Sequence, residues 1–288
     1  MLDYHLHLWP HGERARQATV EELATYCERA AAQGVTEIAL TEHLFRFEQA
    51  DAALGGWWRD EPDSRFRDEM ARYWAEHVSA DLDAYVDTAL AAKAAGLPVV
   101  VGMEVDYYPG RMDQVSDLLA GYPFDVLLGS VHWLGTWLFD VLDSALAMAE
   151  WDARRVEDVW DEYTRALEEL AATGAVDVLA HPDLCKVTGR RPAVPDEWYD
   201  RMAEAAATAG IAAEVNSVGY LKPLAEPYNP PPLLERFHRA GVPVTTASDA
   251  HRLDRVAFRA ADLRDLVVAA GYTTVRAFEG RKPREVPV

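Results

Sequence analysis

The chain alternates amphipathic segments with short apolar runs, and a glycine usually separates the two. The apolar runs lie at residues 35–40, 97–101, 124–128, 176–180, 211–215 and 242–247. The segments before them carry apolar residues at helical spacing and end at residues such as Gly34, Gly174 and Gly210, as helices commonly do. Helices that alternate with short buried strands predict a parallel sheet joined by right-handed crossovers.

Local signals place several helix boundaries. Residues 19–22 have the form of a capping box, so they predict a helix that begins there and ends at Gly34. We expect further helices from about residue 80 to Gly96, from about residue 153 to Gly174, and from Pro195, near the first turn, to Gly210. A last strand, without a metal-binding side chain, is predicted at 272–275.

Counting the opening segment 1–8, seven predicted strands lead into a side chain that can bind a metal ion. Seven α/β repeats predict a distorted (β/α)7 barrel similar to a TIM barrel, as one domain over residues 1–288 with its site at the C-terminal ends of the strands. Residues 45–79 interrupt the repeat and are rich in tryptophan and charge. A connection this long predicts a lid or a substrate-contacting insertion, with a helical surface decoration as the alternative.

Composition narrows the class of protein. The 288-residue chain is 50% hydrophobic, which suffices for one large core, and its formal net charge of −20 argues against long nucleic acids as partners. Cys27 and Cys185 predict free thiols rather than a disulfide framework. No apolar run approaches the ~18 residues of a membrane span, and residues 1–5 enter the first strand directly, so we expect a cytoplasmic protein without a signal peptide or membrane contact.

The strand ends carry imidazoles and carboxylates, the groups that bind Zn²⁺, Mn²⁺ or Fe. His5 and His7 stand two apart in a strand and therefore point to the same face, and Asp249 and His251 repeat that spacing near the end of the chain. The other predicted metal ligands are His11, His43, Glu104, His132 and His181. So large a ligand set, in which Glu104 can bridge through its two oxygens, suits two or three divalent ions. His77 and His238 lie away from the strand ends and are expected to lie outside the cluster.

Clustered divalent ions suit hydrolysis of phosphate esters, in which a metal-bridging hydroxide attacks phosphorus and the ions hold the developing charge. We expect Glu104 and Asp249 to serve this chemistry directly, Arg252 to complement phosphate charge, and Glu42 to orient an imidazole or protonate the leaving oxygen. Substrate contacts are expected from polar side chains beside the ligands, namely Lys222, Asn216, Glu214, Asp106 and Tyr107. An acidic pocket of this kind suits a small phosphate ester with a cationic group.

Taken in order, these motifs resemble the PHP (polymerase and histidinol phosphatase) superfamily, and within it the monofunctional histidinol-phosphate phosphatases. The motifs are His5-Leu6-His7, Thr41-Glu42-His43, Gly102-Met103-Glu104-Val105-Asp106-Tyr107, Gly129-Ser130-Val131-His132, Ala180-His181-Pro182-Asp183, Glu214-Val215-Asn216 and Ser248-Asp249-Ala250-His251-Arg252. The resemblance implies a trinuclear site that hydrolyses L-histidinol phosphate to L-histidinol in histidine biosynthesis. It also implies three ligand groups: His5, His7, Glu104 and Asp249 for one ion, His11, His43 and His251 for a second, and Glu104, His132 and His181 for a third.

Two positions depart from that pattern. Only Leu8 and Trp9 separate His7 from Pro10-His11-Gly12, where the family usually has a longer stretch, and Leu221-Lys222 stands where relatives often carry Arg-Lys.

Other functions stay open from the sequence. An amidohydrolase-type enzyme also opens with a His-x-His pair, but it usually bridges its metals through a carboxylated lysine, and no lysine stands at a strand end here. A PHP-type phosphoesterase that acts on a nucleotide or another small phosphate ester fits the same ligands. A metal-binding scaffold without activity is expected to lack a ligand, and none is clearly missing. The metal identity and the oligomeric state stay open as well.

Overall fold

The computed structural model describes residues 1–288, and its centre is a sheet of seven parallel strands that lie side by side in sequence order. The strands are β1 (Leu2–Leu6), β2 (Glu37–Leu40), β3 (Val99–Asp106), β4 (Val126–Ser130), β5 (Val178–Leu179), β6 (Ala212–Asn216) and β7 (Val244–Ala247). Nearly every strand residue is buried, as expected of parallel strands that are covered by helices. Only β5 is much shorter than the predicted run 176–180.

The first and last strands of this sheet meet and close it. The backbone N–H of His7 donates to the carbonyl of Ala250 at 2.9 Å, and that of Asp249 donates to the carbonyl of His5 at 2.9 Å. These bonds join β1 to the residues directly after β7, so the sheet is a nearly closed barrel. The predicted (β/α)7 fold is therefore confirmed.

Ten helices surround the barrel. They are α1 (Val20–Ala31), α2 (Glu48–Leu54), α3 (Ser64–His77), α4 (Leu82–Ala94), α5 (Met112–Leu119), α6 (Ala145–Ala153), α7 (Val156–Ala172), α8 (Asp196–Ala209), α9 (Pro231–Arg239) and α10 (Ala260–Ala269). The N-terminal cap of α1 is present, because the Thr19 hydroxyl accepts a hydrogen bond from the Glu22 N–H at 3.2 Å, but the Glu22 carboxylate pairs with Arg16 and does not complete the predicted capping box. Gly34 and Gly210 follow their helices with φ of 78° and 69°, the left-handed conformation that glycine adopts without strain. Pro195 directly precedes α8.

Residues 45–79 contain α2 and α3. One side of α3 packs into the core through Met70 and Trp74, and the indole N–H of Trp74 donates to Asp51 of α2 at 2.7 Å. The last turn of α3 lies at the C-terminal ends of the strands, where its His77 ring is 5.6 Å from the ring of Phe45. This placement fits the predicted insertion near the site, and contact with a substrate stays a prediction.

The chain ends in a hairpin that the sequence only partly predicts. A strand over 272–275 was expected, whereas β8 (Thr274–Glu279) pairs with an antiparallel β9 (Lys282–Pro287) and belongs to a separate two-stranded sheet. The hairpin contacts the N-terminal ends of the barrel strands: the Arg281 guanidinium pairs with Asp177 at 3.0 Å, and the Gly280 N–H donates to Asp125 at 2.9 Å. The two aspartates directly precede β5 and β4, so the hairpin covers the base of the barrel.

Cys27 and Cys185 are buried free thiols, as predicted. No helix in the structure combines the length and the apolar character that crossing a membrane requires.

Candidate metal centre

Glu104, in β3, lies fully buried at the middle of a cluster of imidazoles. Its Oε2 lies 2.6 Å from His43 Nδ1 and 3.3 Å from His5 Nε2. Its Oε1 lies 3.1 Å from His181 Nε2 and 3.4 Å from His132 Nε2. The two oxygens of one carboxylate thus face different sets of nitrogens, which is the arrangement that a carboxylate bridging two metal ions requires.

Asp249 follows β7 and faces the same cluster from the side of the barrel opposite Glu104, next to the seam where β7 meets β1. Its Oδ1 lies 3.4 Å from His7 Nε2, 3.9 Å from His5 Nε2 and 3.6 Å from His251 Nδ1. The His7 ring stacks on the ring of His251 at 4.0 Å and on that of His43 at 4.2 Å. The two His-x-His-like pairs at the ends of the chain therefore meet, as their spacing predicts.

The cluster contains buried polar atoms that make no well-directed hydrogen bond with a protein group, even where two of them lie close together, as His43 Nδ1 and Glu104 Oε2 do. They are His5 Nε2, both ring nitrogens of His7 and of His43, Glu104 Oε2, His181 Nδ1 and His251 Nε2. Buried nitrogens and oxygens nearly always have partners, and a concentration of them without partners is costly. Imidazole nitrogens and carboxylate oxygens are the ligands of Zn²⁺ and related ions, so divalent ions fit this donor set.

Donor atoms that lie within 4.8 Å of one another form several overlapping ligand groups. The groups include His5, His7 and Glu104; Glu104, His132 and His181; His5, His181 and Asp249; and His7, His43 and His251. The second of these is the ligand set that the family resemblance implies for one ion. In the last group, His7 stands where the resemblance implies His11.

His11 lies beside this last group without belonging to any of the close ligand groups. Its ring stacks on that of His251 at 4.1 Å and is 5.4 Å from that of His43. The structure thus places His11 next to the two residues with which it was expected to share an ion.

Charge and burial compete at these residues. Burial disfavours a charged imidazole at His132, but the carboxylates of Glu104 and Asp106 outweigh this effect and raise its pKa to about 10. Burial likewise favours protonation of Glu104, and the surrounding imidazoles, above all His5 and His43, hold its pKa well below the ordinary range. Glu104 is therefore an ionised carboxylate, as a metal ligand must be.

Three of the predicted substrate contacts support ligand histidines or the local backbone instead. Asp106 Oδ1 lies 2.6 Å from His132 Nδ1, and Glu214 Oε1 lies 3.0 Å from His5 Nδ1. The Asn216 amide donates to Glu214 at 2.9 Å and does not line the cavity. A carboxylate on one ring nitrogen fixes the tautomer and turns the other nitrogen toward the metal. The structure thus gives these residues partners within the protein, and their contact with a substrate stays a prediction.

Glu42, expected to orient an imidazole or protonate the leaving oxygen, has its Oε2 3.6 Å from His7 Nδ1 and also holds a loop. Its Oε1 accepts hydrogen bonds from the N–H groups of Leu8, at 2.5 Å, and Trp9, at 3.0 Å. The buried Arg46 lies 3.6 Å from its other oxygen and donates to the carbonyl of Pro10 at 3.2 Å. We call Glu42 and Arg46 the loop clamp, because together they hold residues 8–13, which include His11.

Two further predicted contacts lie outside the site. The Arg252 side chain is 72% exposed and pairs with Asp254 at 3.2 Å, so it does not face the centre. The Tyr107 hydroxyl donates to Glu169 of α7 at 2.6 Å. In contrast, Lys222 lines the cavity above the metal centre, as a substrate-contacting residue should.

A cavity of about 570 Å³ lies over the centre, with His43, His132, His181, Asp249 and His251 in its lining. Tyr73, Glu76 and His77 of α3 line it as well, and so do Asp140 and Asp143, which lie after β4. His77 is thus outside the metal groups, as expected, but inside the cavity, which was not expected. The signal for it is the periodic buried stripe of α3, in which Phe66, Met70 and Trp74 lead to His77.

Comparisons with known proteins agree with this geometry. A family model described as the PHP domain matches residues 5–218. A Deinococcus radiodurans protein named as a probable histidinol-phosphatase is 30% identical over 258 residues, which cover 89% of this chain and 90% of that protein. The histidinol phosphate phosphatase of Lactococcus lactis, solved with zinc, L-histidinol and phosphate, superposes with a TM-score of 0.65 at 20% identity over 98% of each chain. A solved protein from Listeria monocytogenes gives a TM-score of 0.70 at 19% identity, over 91% of this chain and 99% of that one. The two structures share the fold.

Proposed function

Since this chain belongs to the PHP domain family, we propose that it is a metal-dependent phosphomonoesterase that converts L-histidinol phosphate to L-histidinol and phosphate. The observation that carries the proposal is the set of unpartnered imidazole nitrogens around Glu104 at the floor of a cavity of about 570 Å³. A relative with 30% identity over most of both chains supports the choice of substrate. Histidine biosynthesis is the pathway that this reaction would serve.

We propose that two or three divalent ions, Zn²⁺, Mn²⁺ or Fe, occupy the centre. His5, His7, Glu104 and Asp249 would hold one, Glu104, His132 and His181 a second, and His43 and His251, with His11 or His7, a third. Such ions supply Lewis acidity, which lowers the pKa of water toward 7 and offsets the negative charge of a phosphate ester.

The residues around the centre then have separate tasks. Glu214 and Asp106 orient the imidazoles of His5 and His132 toward the floor of the cavity. Lys222 is the one lysine or arginine among the lining residues, and we assign its ammonium to the phosphate oxygens of the substrate.

An amidohydrolase-type site is less compatible with these contacts. Such a site usually bridges its metals through a carboxylated lysine, and here we assign that position to Glu104, whose two oxygens face different imidazoles. Lys186, on a nearby loop, is buried and pairs with Asp183 at 2.7 Å and Glu226 at 3.0 Å.

The test is phosphate release from L-histidinol phosphate by purified protein supplied with Mn²⁺ or Zn²⁺, alongside a panel of other small phosphomonoesters and nucleotides. We expect a strong preference for L-histidinol phosphate. Turnover of another ester in its place would keep the reaction and change the substrate, and no turnover of any ester would refute the proposal.

A further inference from the structure

The part of the cavity that holds no metal ligand has a chemistry of its own. We call it the outer wall and define it by Tyr73, Glu76 and His77 of α3 together with Asp140 and Asp143. None of these residues belongs to a metal-binding group. The outer wall is therefore available to the rest of a substrate whose phosphate lies on the metals.

His77 presents a hydrogen-bond acceptor to this space. The residue is 7% exposed, and its Nδ1 lies 2.7 Å from the carbonyl oxygen of Tyr73. A carbonyl can only accept, so Nδ1 carries the proton and Nε2 carries the lone pair. Nε2 has no hydrogen-bond partner in the protein, while the ring lines the cavity. Burial lowers the pKa of His77, which keeps the ring neutral.

The His77 ring is also held firmly in place. It stacks on the ring of Tyr73 at 4.1 Å and meets the edge of Phe45 at 5.6 Å. Aromatic contacts of this kind fix the orientation of a side chain as well as burying it. The acceptor is thus preorganised before any ligand enters.

Asp140 adds a negative charge that the protein leaves without a partner. It lines the cavity and makes no ion pair or side-chain hydrogen bond with another residue. The residue is only partly exposed, and neither His132 nor Lys222 forms an ion pair with it. A carboxylate drawn out of water gains strongly from a cation that enters beside it.

The charges of the outer wall would oppose a substrate that carried only negative charge. Glu76, Asp140 and Asp143 outnumber the one lysine of the cavity, Lys222. The metal ions would offset the charge of the phosphate itself, so the outer wall favours an ester whose other group is cationic over one whose other group is neutral or negative.

We propose that the outer wall is an amine-binding subsite. In it, Asp140 pairs with the substrate's ammonium group, and His77 Nε2 accepts a hydrogen bond from one N–H of that group. The subsite makes the enzyme prefer phosphomonoesters of amino alcohols over esters without an amine. This inference rests on the proposed function and adds to it the residues, on the insertion and after β4, that choose the substrate.

The experiment compares two esters, L-histidinol phosphate and phenyl phosphate, which lacks the amine. The proteins are the metal-loaded wild type, Asp140→Asn, His77→Phe and the control Asp117→Asn, which removes an equal charge from the exposed face of α5. A hydrogen bond to a charged group contributes about 1.5–3 kcal/mol, so Asp140→Asn should lower kcat/KM for L-histidinol phosphate by about 10- to 100-fold. Its kcat/KM for phenyl phosphate should change less than about threefold, and the control should match the wild type on both esters.

His77→Phe keeps the aromatic stacking and removes the acceptor. We therefore expect it to lower kcat/KM for L-histidinol phosphate and not for phenyl phosphate, and it tests the subsite at a second position in the fold. Equal losses on both esters, in both variants, would show that these residues serve the metal centre or the fold, and would overturn the subsite. Unchanged kinetics on L-histidinol phosphate would overturn it as well. A wild type that hydrolyses neither ester would refute the proposed function itself, which separates that failure from a failure of the subsite.

Discussion

Asp249 presents its carboxylate to the metal centre from a backbone conformation that few residues adopt. Its φ is +52°, and the ligand His181 has φ of +27°. Non-glycine residues held at positive φ cost roughly 1–3 kcal/mol each and persist where surrounding contacts impose them. At Asp249 the contact that holds this conformation is the hydrogen bond between β7 and β1, in which the Asp249 N–H donates to the carbonyl of His5 at 2.9 Å.

Asp249→Asn isolates the charge of this residue, because asparagine has the same shape and tolerates positive φ. Mutation of a residue that hydrogen bonds to a metal ligand typically lowers metal affinity or activity by 10–100-fold. Loss of a ligand carboxylate should therefore lower turnover by more than about 100-fold. The unfolding midpoint without added metal should stay within a few degrees of the wild type. Steady-state kinetics and thermal unfolding measure the two quantities, and turnover close to the wild type would contradict the ligand role.

Sequence reasoning found the side chains that the barrel brings together at the candidate metal centre, but not the contacts of their neighbours. His5 and His7, or Asp249 and His251, are found by their spacing, because alternation along a strand fixes which face each side chain takes. Alternation equally puts Asp106 on the face of Glu104, but it does not say what lies opposite. Only the fold shows that His132 lies 2.6 Å from Asp106, so that this carboxylate can hold the imidazole in place.

At the scale of the elements, the loop clamp connects the start of the insertion to the loop that follows β1. Arg46 is fully buried, pairs with Glu42, and donates to the carbonyls of Pro10 at 3.2 Å and Glu13 at 3.5 Å. A planar guanidinium serves several acceptors at once, which an ammonium at the same position does not reproduce. The position of His11 beside His251 therefore depends on Arg46.

Arg46→Lys keeps the charge and removes this geometry. We expect the affinity for the ion nearest His11 to fall by about tenfold or more, as it does when residues that position metal ligands are altered. The ions held through Glu104 should stay bound. Elemental analysis after dialysis against graded chelator gives the metal content per chain. Arg165→Lys, in an exposed pair with Asp161 on α7, is the matched control. Equal loss of all ions would contradict a local role for the clamp.

Elements were predicted best where their ends carry chemical signals. Thr19 and Gly34 delimit α1 closely, because a cap and a left-handed glycine are local properties. The position of His77 is not local: helical periodicity shows that it shares the buried side of α3, and only the packing of α3 shows that this side reaches the cavity. The strand β9 escaped prediction because Pro283 and Pro287 are unfavourable in most strands and are tolerated here at a sheet edge.

At the scale of the molecule, the metal centre and the C-terminal hairpin occupy opposite ends of one barrel. Val275, Ala277 and Phe278 of β8 are buried against residues from the barrel strands, and the Phe278 ring lies 6.4 Å from that of Tyr4 in β1. The N–H of Phe278 donates to the Tyr4 hydroxyl at 3.2 Å. The hairpin therefore contributes to stability at a distance from the chemistry.

Phe278→Ala should destabilise the fold by about 3–5 kcal/mol, the usual range for truncation of a buried phenylalanine. Val268→Ala, at a half-exposed position on α10, should change the free energy of unfolding by less than about 1 kcal/mol. Urea unfolding measures both. The turnover of folded Phe278→Ala should equal that of the wild type, and a large loss of turnover at low temperature would show that the base of the barrel communicates with the site.

The position of the donor atoms beneath the cavity also predicts the order in which metal ions and substrate bind. An ester bound over the donor atoms that line the cavity would lie between the ions and the solvent, so we expect ions to load before the ester enters and to leave after the product phosphate departs. We expect added inorganic phosphate to slow the release of ions to a chelator. The slowing should grow with the fraction of chains that hold phosphate and be greatest at saturation. Stopped-flow release with a chelating dye, with chloride at equal ionic strength as the control, measures this protection. Identical release rates would mean that ions escape by a second path.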